Sequence, residues 1–152
     1  MPTFRTQRHV RHTPEQMFAL VDDCEKYPEF LPLCQALKVR RRIPGGDGVE
    51  TLIADMTVGY KQIRETFASR VTVDRPHLKI RVEYVDGPFS HLENRWRFEV
   101  DQQHSGARVD FFITYEFRSR TLGALMGAMF DRAFHQFAEA FEMRADAVYG
   151  RS

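Results

Sequence analysis

Between Leu37 and Phe117 apolar and polar residues alternate with a period of two, and beyond Thr121 the period lengthens to that of a helix. Leu37, Val39 and Ile43 alternate with Lys38, Arg40 and Arg42 until Gly45-Gly46-Asp47-Gly48, where a tight reversal needs positive φ. The same signal predicts strands over Val49 to Val58, Ile63 to Val73 and Leu78 to Val85, with turns around Gly59, Asp74-Arg75-Pro76 and Asp86-Gly87-Pro88. The clearest strand sets Leu92, Asn94, Trp96, Phe98 and Val100 on one face, against Glu93, Arg95, Arg97 and Glu99 on the other. After a turn at His104-Ser105-Gly106, Val109, Phe111, Ile113, Tyr115 and Phe117 repeat the pattern. Short turns between alternating strands imply antiparallel hairpins, because a parallel neighbour requires a crossover of about a dozen residues.

The two ends complete the architecture. A first strand is predicted near Thr3 to His12. Thr13-Pro14-Glu15-Gln16 then supplies a capping hydroxyl, a first-turn proline and a capping-box glutamine, predicting a helix from Pro14 to Val21. Tyr27, Phe30 and Leu31, set among prolines, predict a second helix of one or two turns. In the last segment Met126, Phe130, Phe134, Phe137 and Phe141 recur at spacings of four, four, three and four, predicting one long helix from Thr121 to Tyr149. At a rise of about 1.5 Å per residue that helix is about 40 Å long, enough to cross a small domain. The expected fold is therefore α+β, a curved antiparallel sheet of about seven strands wrapped round the terminal helix. All 152 residues are expected to form a single domain, since the chain suits one core rather than two.

Composition narrows the function classes. Against 21 acidic residues stand 22 basic ones, a formal charge of +1, so no global field draws the chain to nucleic acid, and no DNA partner is expected. Cys24 and Cys34 are expected as reduced thiols. The start lacks the apolar run of a signal peptide, and no stretch has the roughly 18 apolar residues of a membrane span. The expectation is a cytoplasmic chain, with contact at the inner membrane no closer than peripheral.

The order of elements resembles the helix-grip fold of the START-like (SRPBCC) superfamily, over nearly the whole chain. Tyr27-Pro28-Glu29-Phe30-Leu31-Pro32-Leu33-Cys34 and Gly87-Pro88-Phe89-Ser90-His91-Leu92-Glu93-Asn94-Arg95-Trp96-Arg97-Phe98 resemble the signatures of the coenzyme Q-binding protein family. The resemblance implies non-catalytic binding of ubiquinone or a related polyprenyl lipid, held without covalent attachment, in support of respiratory electron transfer or quinone biosynthesis. Neighbouring branches imply two alternatives: a ribosome association toxin that blocks subunit joining, and a polyketide cyclase or dehydrase.

Thirteen phenylalanines and Trp96 form either a filled core or the wall of a cavity for a flat ring and a branched tail. Phe67, Trp96, Phe111, Phe130, Phe134 and Phe137 are the candidate wall, Met126 lies on the same helical stripe, and the family resemblance implies that Phe30 and Leu31 lie near the mouth. Glu65 and Asn94 are polar residues on apolar faces, and Tyr84 and Tyr115 bring hydroxyls to such faces. Each needs a partner, solvent or a ligand carbonyl if it points inward. Glu65 with a tyrosine is also the acid-base pair a cyclase would use. Lys38, Arg40 and Arg42 are expected as an outward basic stripe, either solvated or touching phosphates of ribosomal RNA or lipid headgroups. No metal is expected, because the histidines and cysteines have no ligand spacing along the chain. Gly123 and Gly127 loosen the start of the last helix, which suits either a gate or close approach to the sheet.

Overall fold

The computed structural model of the protein describes residues 2–150. Strand β1 (Thr3–Val10) leads to helix α1 (Pro14–Asp22) and a 3-10 helix (Cys24–Glu29). Six strands follow, β2 (Cys34–Pro44), β3 (Val49–Tyr60), β4 (Ile63–Asp74), β5 (Lys79–Asp86), β6 (Phe89–Val100) and β7 (Ala107–Phe117). Helices α2 (Arg120–His135) and α3 (Phe137–Tyr149) close the chain. The strands form one antiparallel sheet in the order β1-β7-β6-β5-β4-β3-β2, a meander whose last strand takes the N-terminal strand on its free edge. The expected α+β helix-grip architecture is what forms.

Local chemistry explains the entry to α1. Thr13 Oγ1 accepts from Gln16 N at 3.1 Å, and Gln16 Oε1 accepts from Thr13 N at 2.9 Å, the reciprocal capping box read from the sequence. The concave face of the sheet carries the expected alternation. Leu92, Trp96 and Phe98 of β6 lie opposite Tyr115, Phe111 and Val109 of β7, all buried beneath α1, α2 and α3.

Three expectations are corrected. The predicted single helix over Thr121 to Tyr149 is two helices, interrupted at Gln136 (φ −99°, ψ −3°), whose N–H donates to Ala133 O at 3.0 Å. This three-residue hydrogen bond tightens the last turn of α2 and redirects the chain between Phe134 and Phe137. Secondly, β3 runs through Gly59, and the reversal falls at Lys61 (φ 57°). Gly59 is instead a site of close approach: a Cβ there would lie 2.3 Å from Gln35 Nε2. Thirdly, a bulge in β2 between Val39 and Arg41 changes the phase of the strand. Arg42 is then opposite buried Leu52 at the rim of the concave face, so Lys38, Arg40 and Arg42 are not one outward stripe.

Candidate functional site

The concave face meets the C-terminal helices where the chain bends at Gln136. Beneath that bend is an internal cavity of about 80 Å³, walled by Leu31, Leu37, Met56, Phe67, Val71, Val82, Leu92, Asn94, Trp96, Ile113, Phe134 and Phe137, with Cys24, Tyr27, Ala54 and Ser69. A second void of about 20 Å³ lies next to it, lined by Phe89, Phe130 and Leu33 among others. Met56, Phe67, Phe134 and Phe137 line both. The interior is therefore largely filled by the protein's own rings. Together the two spaces are well below the roughly 300–1,000 Å³ of a pocket for a drug-sized ligand.

Of the sequence candidates, Leu31, Phe67, Asn94, Trp96, Phe134 and Phe137 line the larger cavity and Phe130 the smaller. Phe30 does not line either: its ring packs edge-on against Phe141 at 5.1 Å, with the Arg144 guanidinium 5.1 Å from its centroid. Phe111 packs against Trp96 at 4.6 Å, and buried Met126 also lies outside both voids. Asn94 and Trp96 satisfy each other: Asn94 Nδ2 donates to Phe112 O at 2.9 Å, and Trp96 Nε1 donates to Asn94 Oδ1 at 2.9 Å. Tyr84 accepts from Phe89 N at 3.1 Å. Tyr115 donates to Gly127 O at 3.4 Å, and burial pushes its hydroxyl up to about 12. Glu65 sits opposite Val58 on the concave side and makes no hydrogen bond or ion pair to any other described residue. It does not line the voids, so among the described residues no carboxylate faces the cavity.

Sequence reasoning missed Ser69. It lies in the phase of Glu65, Phe67 and Val71, pairs with Ala54 and Tyr84, and is 5% exposed. Its hydroxyl lines the cavity yet makes no hydrogen bond to another described residue. The rule of alternation that singled out Glu65 points equally to Ser69. The other polar wall groups are occupied or inert. Tyr27 donates to Val21 O and is held well above the ordinary tyrosine range, chiefly by burial. Burial pushes the free Cys24 thiol up to about 11 although Arg42 pulls it down, and the free Cys34 thiol, also buried, is raised to about 11. At neutral pH this wall offers no general base and no thiolate.

The basic candidates are mostly paired. Arg40 meets Asp55 at 2.9 Å, and Arg42 meets Glu25 at 3.1 Å and Glu50 at 3.4 Å, leaving exposed Lys38 without an ion pair among the described residues. A different row crosses the convex face. Arg5, Phe112, Arg95 and Arg81 are consecutive register partners on β1, β7, β6 and β5. The guanidiniums of Arg5 and Arg95 lie 4.6 and 4.7 Å from the Phe112 centroid. Glu93 bridges Arg81 and Arg95 at 3.0 and 2.9 Å, whereas Arg5 has no carboxylate partner among the described residues. These side chains border an open groove of about 850 Å³.

The family model for polyketide cyclase / dehydrase and lipid transport proteins matches residues 10–142. The chain belongs to that family. It is 30% identical over 149 residues to the ribosome association toxin RatA of Escherichia coli strain K12, an alignment covering 98% of this chain and 90% of RatA. It is 33% identical over 140 residues to the mitochondrial coenzyme Q-binding protein COQ10 homolog B of Xenopus laevis, covering 90% of this chain and 55% of that protein. A START superfamily protein from Mycobacterium smegmatis superposes with a TM-score of 0.77 at 18% identity, over 96% of this chain and 98% of the other, a likeness of fold. Among the described residues no helix is long and apolar enough to cross a membrane.

Proposed function

We propose that this member of the family binds a hydrophobic, ring-bearing molecule of the quinone or polyprenyl-lipid class beneath the bend between α2 and α3, and releases it unchanged. The observation that carries the reading is Ser69, whose hydroxyl on the wall of a largely apolar cavity has no hydrogen-bond partner among the described residues. Such a group costs about 1–3 kcal/mol unless a ligand or water satisfies it, and a quinone carbonyl is a suitable acceptor. The present space admits only a small fragment, so binding requires opening. Phe134 and Phe137 stand between the two voids on either side of the helix break, and their displacement joins the spaces.

The glycines of α2 support such movement. A Cβ at Gly127 would meet nothing within 4 Å, and one at Gly123 would make only ordinary contact with Phe117, the nearest atom being 3.6 Å away. Close packing therefore demands neither glycine, and each weakens the helix by about 1 kcal/mol relative to alanine. That the described residues put neither a general base nor a thiolate on the cavity wall favours carriage over a cyclase reaction. Organic extraction of the purified protein followed by mass spectrometry tests this directly. A quinone or prenyl lipid in near-stoichiometric amount is expected, and lost in a Trp96→Asp variant that remains folded; a folded wild-type protein free of lipid after expression in a quinone-producing host contradicts it.

The convex row supports a second reading, association with a ribosomal subunit. Guanidiniums held in a row by an aromatic ring can stack on unpaired bases and meet phosphates. Co-sedimentation with a subunit that weakens with salt and is abolished by Arg5→Ala with Phe112→Ala favours it. Equal co-sedimentation by wild type and variant removes it.

A further inference from the structure

We propose that His9, Asp101 and His104 form a binding site for a divalent transition-metal ion of the zinc type, one that pins the edge strand β1 to the β6–β7 turn. The site is independent of the cavity and lies at the far end of the β1–β7 pair. His9 is on β1, while Asp101 and His104 belong to the loop between β6 and β7. Register places His9 opposite Arg108, just past that loop, which brings together residues 92 positions apart.

The donor atoms converge. His9 Nδ1 lies 2.6 Å and His104 Nδ1 3.7 Å from the same carboxylate oxygen, Asp101 Oδ2, and all three ligand atoms fall within 4.8 Å of one another. Ligands of a tetrahedral ion at about 2.0–2.2 Å stand roughly 3.3 Å apart, so the observed separations bracket what is needed. Small adjustments of the exposed His9 and His104 side chains, whose ring centroids are 5.3 Å apart, close the difference. The carboxylate is already oriented. Asp101 Oδ1 accepts from Gln103 N at 2.9 Å and His104 N at 3.2 Å, which directs Oδ2 toward the two imidazoles.

Two imidazole nitrogens and one carboxylate select zinc, nickel, copper or iron over magnesium and calcium, which prefer oxygen ligands throughout. Both histidines are exposed, so water can fill the remaining coordination positions. The neighbouring charges are compatible: Arg108 is paired with Glu99 and Asp110, and Glu99 borders the same depression. The same atoms form a His9–Asp101 hydrogen bond and a carboxylate-capped turn.

The test is calorimetric titration of the EDTA-treated full-length protein with Zn²⁺, with Mg²⁺ as control, alongside thermal unfolding. One saturable Zn²⁺ site is expected. At about 100-fold excess over Kd the melting temperature rises by roughly 5 °C or more. His104→Ala weakens Zn²⁺ binding at least tenfold but leaves the metal-free melting temperature unchanged, as its exposure requires. His77→Ala, at another exposed histidine beside a carboxylate, leaves Zn²⁺ binding as in the wild type. Absence of saturable Zn²⁺ binding below millimolar concentration, or binding unchanged by both His9→Ala and His104→Ala, overturns the proposal.

Discussion

Replacing Ser69 with alanine changes the stability of the ligand-free protein and its affinity for ligand in opposite directions. Ser69 is 5% exposed, and its hydroxyl has no hydrogen-bond partner among the described residues. The cavity is large enough for water, but the polar atoms of Asn94 beside it are already committed to Phe112 and Trp96, so hydration offers little compensation. An unsatisfied buried hydroxyl costs about 1–3 kcal/mol. Taking the lower end, Ser69→Ala stabilises the ligand-free protein by about 1 kcal/mol, or roughly 3 °C in melting temperature for a chain of this size. In the proposed bound state the hydroxyl would donate to a carbonyl, and loss of one neutral hydrogen bond of about 0.5–1.5 kcal/mol would weaken binding roughly twofold to tenfold. Urea unfolding without ligand and titration with a short-chain quinone measure both quantities. Destabilisation of 1 kcal/mol or more, or unaltered affinity, contradicts a hydrogen bond from Ser69 to the ligand.

Other substitutions test separate steps. Gly127→Ala should stabilise the protein by about 1 kcal/mol, because the added methyl meets nothing, and should slow quinone dissociation in stopped-flow measurements if α2 is the gate. The Glu93 carboxyl is held below its ordinary range, chiefly by the hydrogen bond from Arg95. Its contribution is complete above the ordinary carboxylate pKa and is lost as pH falls through the lower folded-state value; Glu93→Gln should therefore destabilise by roughly 1 kcal/mol or less at pH 7 and have almost no effect below that value, as read by denaturant midpoints. Cys24 and Cys34, raised to about 11, carry thiolate fractions on the order of one in a thousand at pH 8, so both should resist a disulfide reagent in the native protein and react rapidly in urea.

The alternation from Leu37 to Phe117 made the sheet legible, since period two and short turns admit little besides an antiparallel meander. Residues whose placement depends on a local irregularity were harder to place. The break at Gln136 contains neither proline nor glycine, so five apolar residues at helical spacing read as one continuous helix. One bulge beyond Val39 rotated Arg42 toward Glu25 and Glu50, a change invisible to strict alternation. Gly59 read as a turn, although its role is to admit the Gln35 side chain. Within the site, the helical phenylalanines Phe130, Phe134 and Phe137 were found by periodicity, whereas Ser69 was overlooked beside its in-phase neighbour Glu65. The grouping of His9 with Asp101 and His104 depends on the pairing of β1 with β7, a long-range register that spacing along the chain does not encode.

The chain supplies its own reporter for binding in the interior. Trp96 is the only tryptophan and forms part of the cavity wall, where an electron-accepting quinone ring would lie against it. Titration with a water-dispersible short-chain quinone should quench Trp96 fluorescence saturably, with one equivalent bound. Quenching that only rises linearly with quinone, as in free tryptophan, would contradict an interior binding site.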